Sequence, residues 1–182
     1  PRVIDFQSFV LGNVPRPGHP RGELGFAKPV IRRDVLTRSG ARYDERLRLG
    51  EDFDLYARLL ALRANFQVTR CCGYVAIERA NSLSGRHATA DLRNLLDSSR
   101  SIGTSPGLPE QDRKALRHHQ ADLANRLHHR ELIDMRRAQG RADAIIAAVK
   151  RPTALPALAR AVVRDKTTAL RPRQSGGIRY LF

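Results

Sequence analysis

The chain has 182 residues, with 33 Lys and Arg against 18 Asp and Glu, 41% hydrophobic residues and no Trp. This length suits one domain of ordinary size with a sizeable buried core, and the composition excludes a disordered chain. No stretch approaches the ~18 uninterrupted apolar residues of a transmembrane helix. The first residues lack the layout of a signal peptide, and their start at Pro1 predicts a fragment of a longer protein.

The net charge is +15, and it rests on 29 Arg and only 4 Lys. An Arg-rich and Ala-rich composition is typical of GC-rich coding, so part of this charge carries no functional meaning. The remaining positive charge attracts nucleic acid, anionic lipid and phosphorylated substrates without choosing among them.

Cysteine usage points to a reducing compartment. Cys71 and Cys72 are adjacent, which excludes a disulfide framework and the spacing of a metal site. We expect two reduced thiols in an interior strand and a cytoplasmic protein.

In chain order, the first apolar run, VIDFQSFVL, predicts a strand, although periodicity does not exclude a helix there. A loop rich in Gly and Pro follows, and KPVIRRDVL predicts a short helix. After Gly50, EDFDLYARLLALRA predicts a helix with one buried stripe, formed by Phe53, Tyr56, Leu59 and Leu60. FQVTRCCGYVAI is expected to be extended, as two short strands that bend near Gly73.

From Ala88 onward the pattern predicts helices. Thr89 is the expected N-cap of TADLRNLLDSSRSI, with a stripe of Leu92, Leu95 and Leu96. Pro109 is expected at the first position of a long helix that ends at Gly140. Its apolar stripe is narrow and runs through Leu116, Leu123, Leu127 and Met135. ADAIIAAVK predicts a further helix that stops at Pro152.

Glu51 and Asp52 are the candidate catalytic residues. Acidic residues in a first helical turn are also explained by the helix dipole, which favours negative charge there. The functional interpretation is a general base, in which a carboxylate close to phosphate-binding arginines accepts a proton from a hydroxyl nucleophile. Composition alone leaves both interpretations open.

An ordered set of motifs spans residues 22–86. It comprises Gly25, Lys28, Pro29, Arg32 and Arg33, then Tyr43-Asp44-Glu45, Gly50 to Phe53, and Tyr74, Arg79, Ser82 and Ser84. At these spacings the segment resembles the second half of family 2 glycosyltransferases, and more narrowly their bacterial exopolysaccharide (succinoglycan-type) branch.

The resemblance implies an α/β fold, the acceptor-side C-terminal part of a GT-A nucleotide-diphospho-sugar transferase. Residues 1–87 would form this part, 88–140 a helical extension, and 141–182 a basic amphipathic tail. The implied activity is inverting transfer of a sugar from a nucleotide sugar to a glycan or lipid-linked acceptor in exopolysaccharide or cell-surface polysaccharide synthesis.

The resemblance also implies site residues. Asp52 would be the general base, and Glu51 would orient the site. The loop that contains Gly25 and Lys28 would border the acceptor, and Arg79, Ser82 and Ser84 would approach the donor diphosphate. A solvated surface arginine is the alternative for Arg79.

The family's donor-binding half and its Asp-x-Asp motif, which holds Mg²⁺ or Mn²⁺, do not occur in this chain. The similar strings, from Glu51 to Asp54 and from Asp91 to Arg93, both lie in predicted helices. We therefore expect this chain to be inactive by itself and to contain no metal site.

Histidines offer the other candidate metal ligands. His118, His119, His128 and His129 lack the i,i+4 spacing of two ligands on one helix face, so we expect exposed helix histidines. His87, just after the Ser-Leu-Ser turn, keeps a metal-ligand alternative.

The C-terminal tail from Ala138 has nine basic and two acidic residues. It is a solvated helical appendage, a segment that docks on the anionic inner face of the plasma membrane, or a nucleic-acid-binding segment. A non-enzymatic basic protein that binds nucleic acid or a membrane surface is therefore the alternative function. Specific nucleic-acid binding is not expected, because aromatic residues are only 5% and no zinc-finger or helix-turn-helix pattern occurs.

Overall fold

The computed structural model describes residues 2–15, 24, 28–69, 87–150 and 159. The chain divides into two compact units, Pro1–Leu123 and Ala124–Phe182. Among the described residues, six helices accompany one two-stranded sheet. The mixture of helix and strand expected from the sequence is therefore present, with helix predominating.

The sheet pairs β1 (Arg2–Ile4) with β2 (Phe66–Val68) in antiparallel orientation. In its register Arg2 lies opposite Val68, and Ile4 lies opposite Phe66. The strand predicted over FQVTRCCGYVAI is confirmed at β2, and the continuation through Cys71, Cys72 and Gly73 lies outside the described residues.

The strand predicted over VIDFQSFVL is wrong beyond Ile4, because helix α1 (Phe6–Gly12) follows β1 at once. Oδ1 of Asp5 accepts a hydrogen bond from the amide of Ser8 at 2.7 Å and caps this helix. Phe6, Phe9 and Val10 then lie at helical spacing on its buried side. The Asp5 cap thus favours a helix in a segment whose hydrophobic pattern is compatible with both a strand and a helix.

Helix α2 (Arg33–Ser39) confirms the short helix predicted within KPVIRRDVL, although it begins later. Arg32 has extended backbone at the N-cap, and Gly40 ends the helix in the left-handed region with φ 63°.

Helix α3 (Glu51–Ala61) confirms the central helix prediction and supplies much of the core. The predicted stripe is buried, and Asp54, Leu55 and Ala57 are buried as well. The rings of Phe9 and Phe53 stack with centroids 5.5 Å apart. Tyr56 and Phe66 meet Phe9 edge-on, with centroids 6.3 and 6.1 Å from it. This aromatic cluster joins α1, α3 and β2.

Helix α4 (Thr89–Gly103) buries the predicted Leu92, Leu95 and Leu96. The predicted N-cap is wrong by one residue: Ala88 occupies that position, and Thr89 is the first helical residue. Oδ2 of Asp91 accepts the Ala88 amide at 2.7 Å. This carboxylate, three residues after the N-cap, satisfies the amide of the N-cap residue, whereas a Thr89 hydroxyl was expected to accept an amide of the first helical turn.

Helix α5 (Glu110–Ala138) begins one residue after Pro109, so the prediction of Pro109 as its first residue is wrong. The Pro109 carbonyl accepts the Arg113 amide at 3.0 Å and thus opens the helical hydrogen-bond series. Within the predicted stripe Leu116, Leu123 and Leu127 are buried, while Met135 is half-buried.

Two of the helix histidines are buried, which corrects the expectation that all four are exposed. His119 retains 4% and His128 7% of its surface, whereas His118 is exposed and His129 is half-buried. The imidazole of His119 stacks on Phe53 with centroids 4.2 Å apart, and its Nδ1 lies 3.3 Å from Oγ of Ser99. This histidine fills a gap among α3, α4 and α5.

In the second unit, α6 (Arg141–Val149) confirms the helix predicted over ADAIIAAVK. Apart from 141–150 and Ala159, the C-terminal tail lies outside the described residues. Within the described part of the chain, no helix combines the length and the apolar character that crossing a membrane requires.

Candidate functional site

The candidate site centres on the carboxylate of Asp52, in the first turn of α3. Its Oδ2 accepts the ammonium of Lys28 at 2.7 Å. Its Oδ1 accepts the hydroxyl of Tyr43 at 3.0 Å and lies 3.4 Å from the hydroxyl of Tyr56. These four residues form the Asp52 cluster, whose central side chain is 14% exposed.

The local chain explains how Tyr43 reaches α3. Asp44 accepts both the backbone amide and the guanidinium of Arg46, at 3.0 Å and 2.7 Å, and this closes a tight turn. The same hydrogen bonds hold the pKa of the Asp44 carboxyl at about 2. Leu47 is buried behind the turn. The preceding residue, Tyr43, is thereby placed over the start of α3 with half of its surface exposed.

Lys28 lies in the left-handed region, with φ 46°. A non-glycine residue rarely adopts this conformation, and such strain tends to occur at functional sites. Here it accompanies the ion pair that joins the segment before α2 to Asp52, 24 residues later in the chain.

Both tyrosines are hydrogen-bond donors at neutral pH. Burial raises the pKa of the Tyr56 phenol, and the Tyr43 hydroxyl and the Asp52 carboxylate raise it further. Burial also raises the pKa of Tyr43; the Tyr56 hydroxyl opposes that shift and Asp52 adds to it. Both phenols therefore stay protonated and direct O–H groups toward the carboxylate.

The donors around Asp52 determine what else it can bind. A carboxylate offers about four lone-pair positions, two on each oxygen. The two phenols occupy the capacity of Oδ1, and Lys28 takes one position on Oδ2. Among the residues that the structure describes, no further donor reaches Oδ2, so one position there remains for a group such as a hydroxyl. The cluster is thus suited to hold one O–H group against a fixed carboxylate.

Asp54 has a different role from Asp52, although both stand in the first turn of α3. Its side chain is 5% exposed and pairs with Arg58 at 2.7 Å. Its other oxygen accepts the hydroxyl of Ser98 on α4. Asp54 therefore joins α3 to α4, and the string Asp52-Phe53-Asp54 does not direct two carboxylates at one ligand.

The other predicted site residues fall into two groups. Glu51 is half-buried beside Asp52, and the described residues give it no hydrogen-bond or ion-pair partner. Gly25, Arg79, Ser82 and Ser84 lie outside the described residues, so their assignments stay predictions.

Sequence reasoning missed the two phenols as partners of the candidate base. Tyr56 stands four residues after Asp52, the spacing at which side chains meet on one helix face, and this signal was available. Tyr43 was part of the quoted motif but had no assigned role, because nothing in the spacing shows that the turn at Asp44 brings it to Asp52.

The described residues contain no group of three or more His, Cys, Asp or Glu side chains that could hold a metal ion, and His87 is among those residues. The metal implied by the resemblance has no fitting site in this part of the chain, and no catalytic step is assigned to one here.

Comparison with known proteins identifies two relatives, one of which matches along the whole chain. It is 43% identical, over an alignment of 191 residues that includes all of it, to the succinoglycan biosynthesis protein ExoU of Rhizobium meliloti (strain 1021). It is also 38% identical over 61 residues to the succinoglycan biosynthesis protein ExoO of the same strain. The chain is homologous to succinoglycan biosynthesis proteins.

The match covers only part of each relative. The chain spans 56% of the length of ExoU, and the aligned segment spans 18% of ExoO. No family model matches the chain. No solved structure matches it either.

Proposed function

We propose that this chain is the acceptor-side part of a family 2 glycosyltransferase of GT-A fold that acts in exopolysaccharide synthesis. The enzyme transfers a sugar from a nucleotide sugar to a hydroxyl of a glycan or lipid-linked acceptor, with inversion. Two observations support the proposal: the homology to two succinoglycan biosynthesis proteins, and a carboxylate at the motif position of the family's base.

The observation that carries the assignment is the geometry of Asp52. A general base must lie within hydrogen-bond reach of the proton that it removes. Asp52 is 14% exposed, its Oδ1 is held by two phenols, and the described part of the chain leaves one lone-pair position on Oδ2 open. An acceptor hydroxyl bound there would donate its hydrogen bond to a carboxylate that cannot rotate freely.

In this mechanism Oδ2 of Asp52 takes the proton of the acceptor hydroxyl. The hydroxyl oxygen forms a bond to the anomeric carbon of the donor sugar as the bond from that carbon to the diphosphate breaks, and the nucleoside diphosphate leaves with the bonding electrons. Lys28 and the two phenols hold the base, and Glu51 orients the neighbouring site.

Residues outside the Asp52 cluster bind the donor. We place the diphosphate near Arg79, Ser82 and Ser84, since Arg forms bidentate contacts with such groups. The Mg²⁺ or Mn²⁺ of this family would be held by the Asp-x-Asp motif of the donor-side half, and the chain by itself would not transfer sugar.

The test replaces Asp52 by Asn in the complete enzyme. Asn keeps the size of the side chain but cannot accept the proton as a carboxylate does. General-base catalysis contributes roughly 10²–10⁴-fold, so transfer should fall by that factor while nucleotide-sugar affinity, measured by calorimetry, stays unchanged. Asp97→Asn, which changes an exposed aspartate of α4, is the matched control and should keep normal transfer.

Transfer would be followed as the acceptor-dependent release of nucleoside diphosphate from a panel of nucleotide sugars. Near-normal turnover of Asp52→Asn would remove Asp52 as the base. Loss of donor binding in the same variant would instead assign it a structural role.

A further inference from the structure

A cavity lies at the junction of α4 and α5. It has a volume of about 220 Å³ and is lined by Arg100, Gly103, Arg113, Leu116, Arg117 and Gln120. None of these residues belongs to the Asp52 cluster. We call it the arginine cavity.

All the charged residues that line the cavity are positive. Three of the six lining residues are arginines, and none is acidic. Arg100 and Arg117 also pair with carboxylates outside the lining, so the cavity presents guanidinium groups whose present partners an entering anion would have to replace.

Backbone carbonyls at the end of α4 and in the following loop hold the Arg113 side chain in place. Its Nε donates to the Leu108 carbonyl at 3.0 Å, and its two terminal nitrogens donate to the carbonyls of Ser105 and Gly103. The C-terminal end of a helix carries partial negative charge that would repel an anion. Arg113 covers that end of α4 and still has donors to spare, because a guanidinium carries five N–H groups.

Arg100 and Arg117 are held only weakly. Arg100 pairs with Asp97 at 3.0 Å, and Arg117 pairs with Glu110 at 2.6 Å. All four side chains are more than half exposed, between 57% and 74%. Exposed pairs of this kind contribute about 0–1 kcal/mol, so a doubly charged anion can replace either acid as the partner.

The cavity is small. Pockets for drug-sized ligands measure about 300–1,000 Å³, and this cavity is smaller. A single phosphate group fits in this volume. Arg also matches phosphate geometry better than Lys, since its planar fork makes two parallel hydrogen bonds.

We propose that the arginine cavity is a binding site for a phosphate monoester group. Arg100 and Arg117 are its recognition residues, and Arg113 is an additional donor that its bonds to backbone carbonyls hold in one orientation. The phosphate belongs either to a small soluble metabolite or to the headgroup of a lipid. Gln120, whose amide donates to the Ser99 carbonyl at 2.9 Å, borders the site.

The test uses this chain, labelled with ¹⁵N, and inorganic phosphate as the first probe at constant ionic strength. We expect saturable shifts of the Gly103 amide and the Gln120 side-chain amide. Arg100→Gln and Arg117→Gln should each weaken binding about tenfold, the value of one charge-assisted hydrogen bond. Arg136→Gln, at an exposed arginine near the end of the same helix α5, is the matched control and should bind phosphate as the parent does.

Two further probes separate the sources of the phosphate. Saturation by glycerol 3-phosphate at the same residues, with no effect of vesicles, indicates a soluble ligand. Displacement of bound phosphate by vesicles that contain phosphatidic acid, but not by neutral vesicles, indicates a lipid headgroup. Either result supports the site.

The proposal is overturned if the shifts fail to saturate, or if Arg136→Gln weakens binding as much as the cavity variants do. Either result would mean that phosphate binds because of the overall charge of +15 and not at this cavity. Each variant is first compared with the parent in thermal unfolding, because an unfolded variant would lose binding for another reason.

Discussion

Leu95 occupies the space that a side chain at Gly50 would need. A Cβ atom on Gly50 would lie 2.7 Å from Cδ1 and 2.8 Å from Cδ2 of Leu95, both inside normal contact distance. Gly50 also has a φ of 73°, a backbone conformation that other residues rarely adopt. This contact lets α4 pack closely against the start of α3, where Asp52 stands.

Replacing Gly50 by Ala should destabilise the protein by about 2–4 kcal/mol, because backbone strain and overpacking add. Gly40→Ala separates the two causes, since Gly40 has a φ of 63° but nothing within 4 Å of its missing Cβ. That variant should lose only about 1 kcal/mol. Urea unfolding measures both values, and equal losses would contradict the role of Leu95.

Replacing Asp54 by Asn should cost about 2–3 kcal/mol of unfolding free energy, because it leaves the partly buried Arg58 without its charged partner. Asp97→Asn removes an ion pair of 3.0 Å, compared with 2.7 Å for Asp54. Both side chains of the Asp97 pair are more than half exposed, so its loss should cost less than about 1 kcal/mol. The two variants are compared by chemical denaturation. Similar losses would show that burial of Asp54 does not matter.

Tyr43→Phe in the complete enzyme should reduce transfer about tenfold, because Oδ1 of Asp52 loses a hydrogen bond to a charged acceptor. The effect should appear in kcat more than in KM, with little change in melting temperature, since Tyr43 is 51% exposed. Tyr56→Phe removes the longer contact of 3.4 Å and should reduce kcat less. Unchanged kcat in the Tyr43 variant would exclude a positioning role for its hydroxyl.

The buried phenol of Tyr56 predicts a loss of stability at alkaline pH. Its pKa is raised in the folded protein above the ordinary value of 10.0, mainly by burial. Below about pH 10 the phenol is protonated in both states and has no pH-dependent effect. Above that pH the unfolded chain releases the proton first, so the free energy of unfolding falls as pH rises.

Urea unfolding at pH 9 and at pH 10.5 would measure this fall. The Tyr56→Phe variant has no proton to release and should lose less stability between the two pH values than the parent does. An identical fall in both proteins would assign the alkaline loss to other groups.

Some of the architecture follows from the sequence alone. Apolar residues at three- and four-residue spacing predicted α3 and α4, Gly50 marked the start of α3, and Gly140 marked the end of α5. Local patterns of this kind carry over because helical periodicity depends only on neighbours along the chain. Asp52 was also singled out from the order of the motifs.

Tertiary packing gives residues of the same type, close together in the chain, different environments. Asp52 and Asp54 are both acidic residues in one helical turn, yet one meets Lys28 and Tyr43 and the other meets Ser98. His118 and His119 are adjacent, yet only His119 is buried, against Phe53. Successive helical residues point about 100° apart, so their environments depend on which element packs on each face. That choice depends on residues far away in the chain, which no local pattern contains.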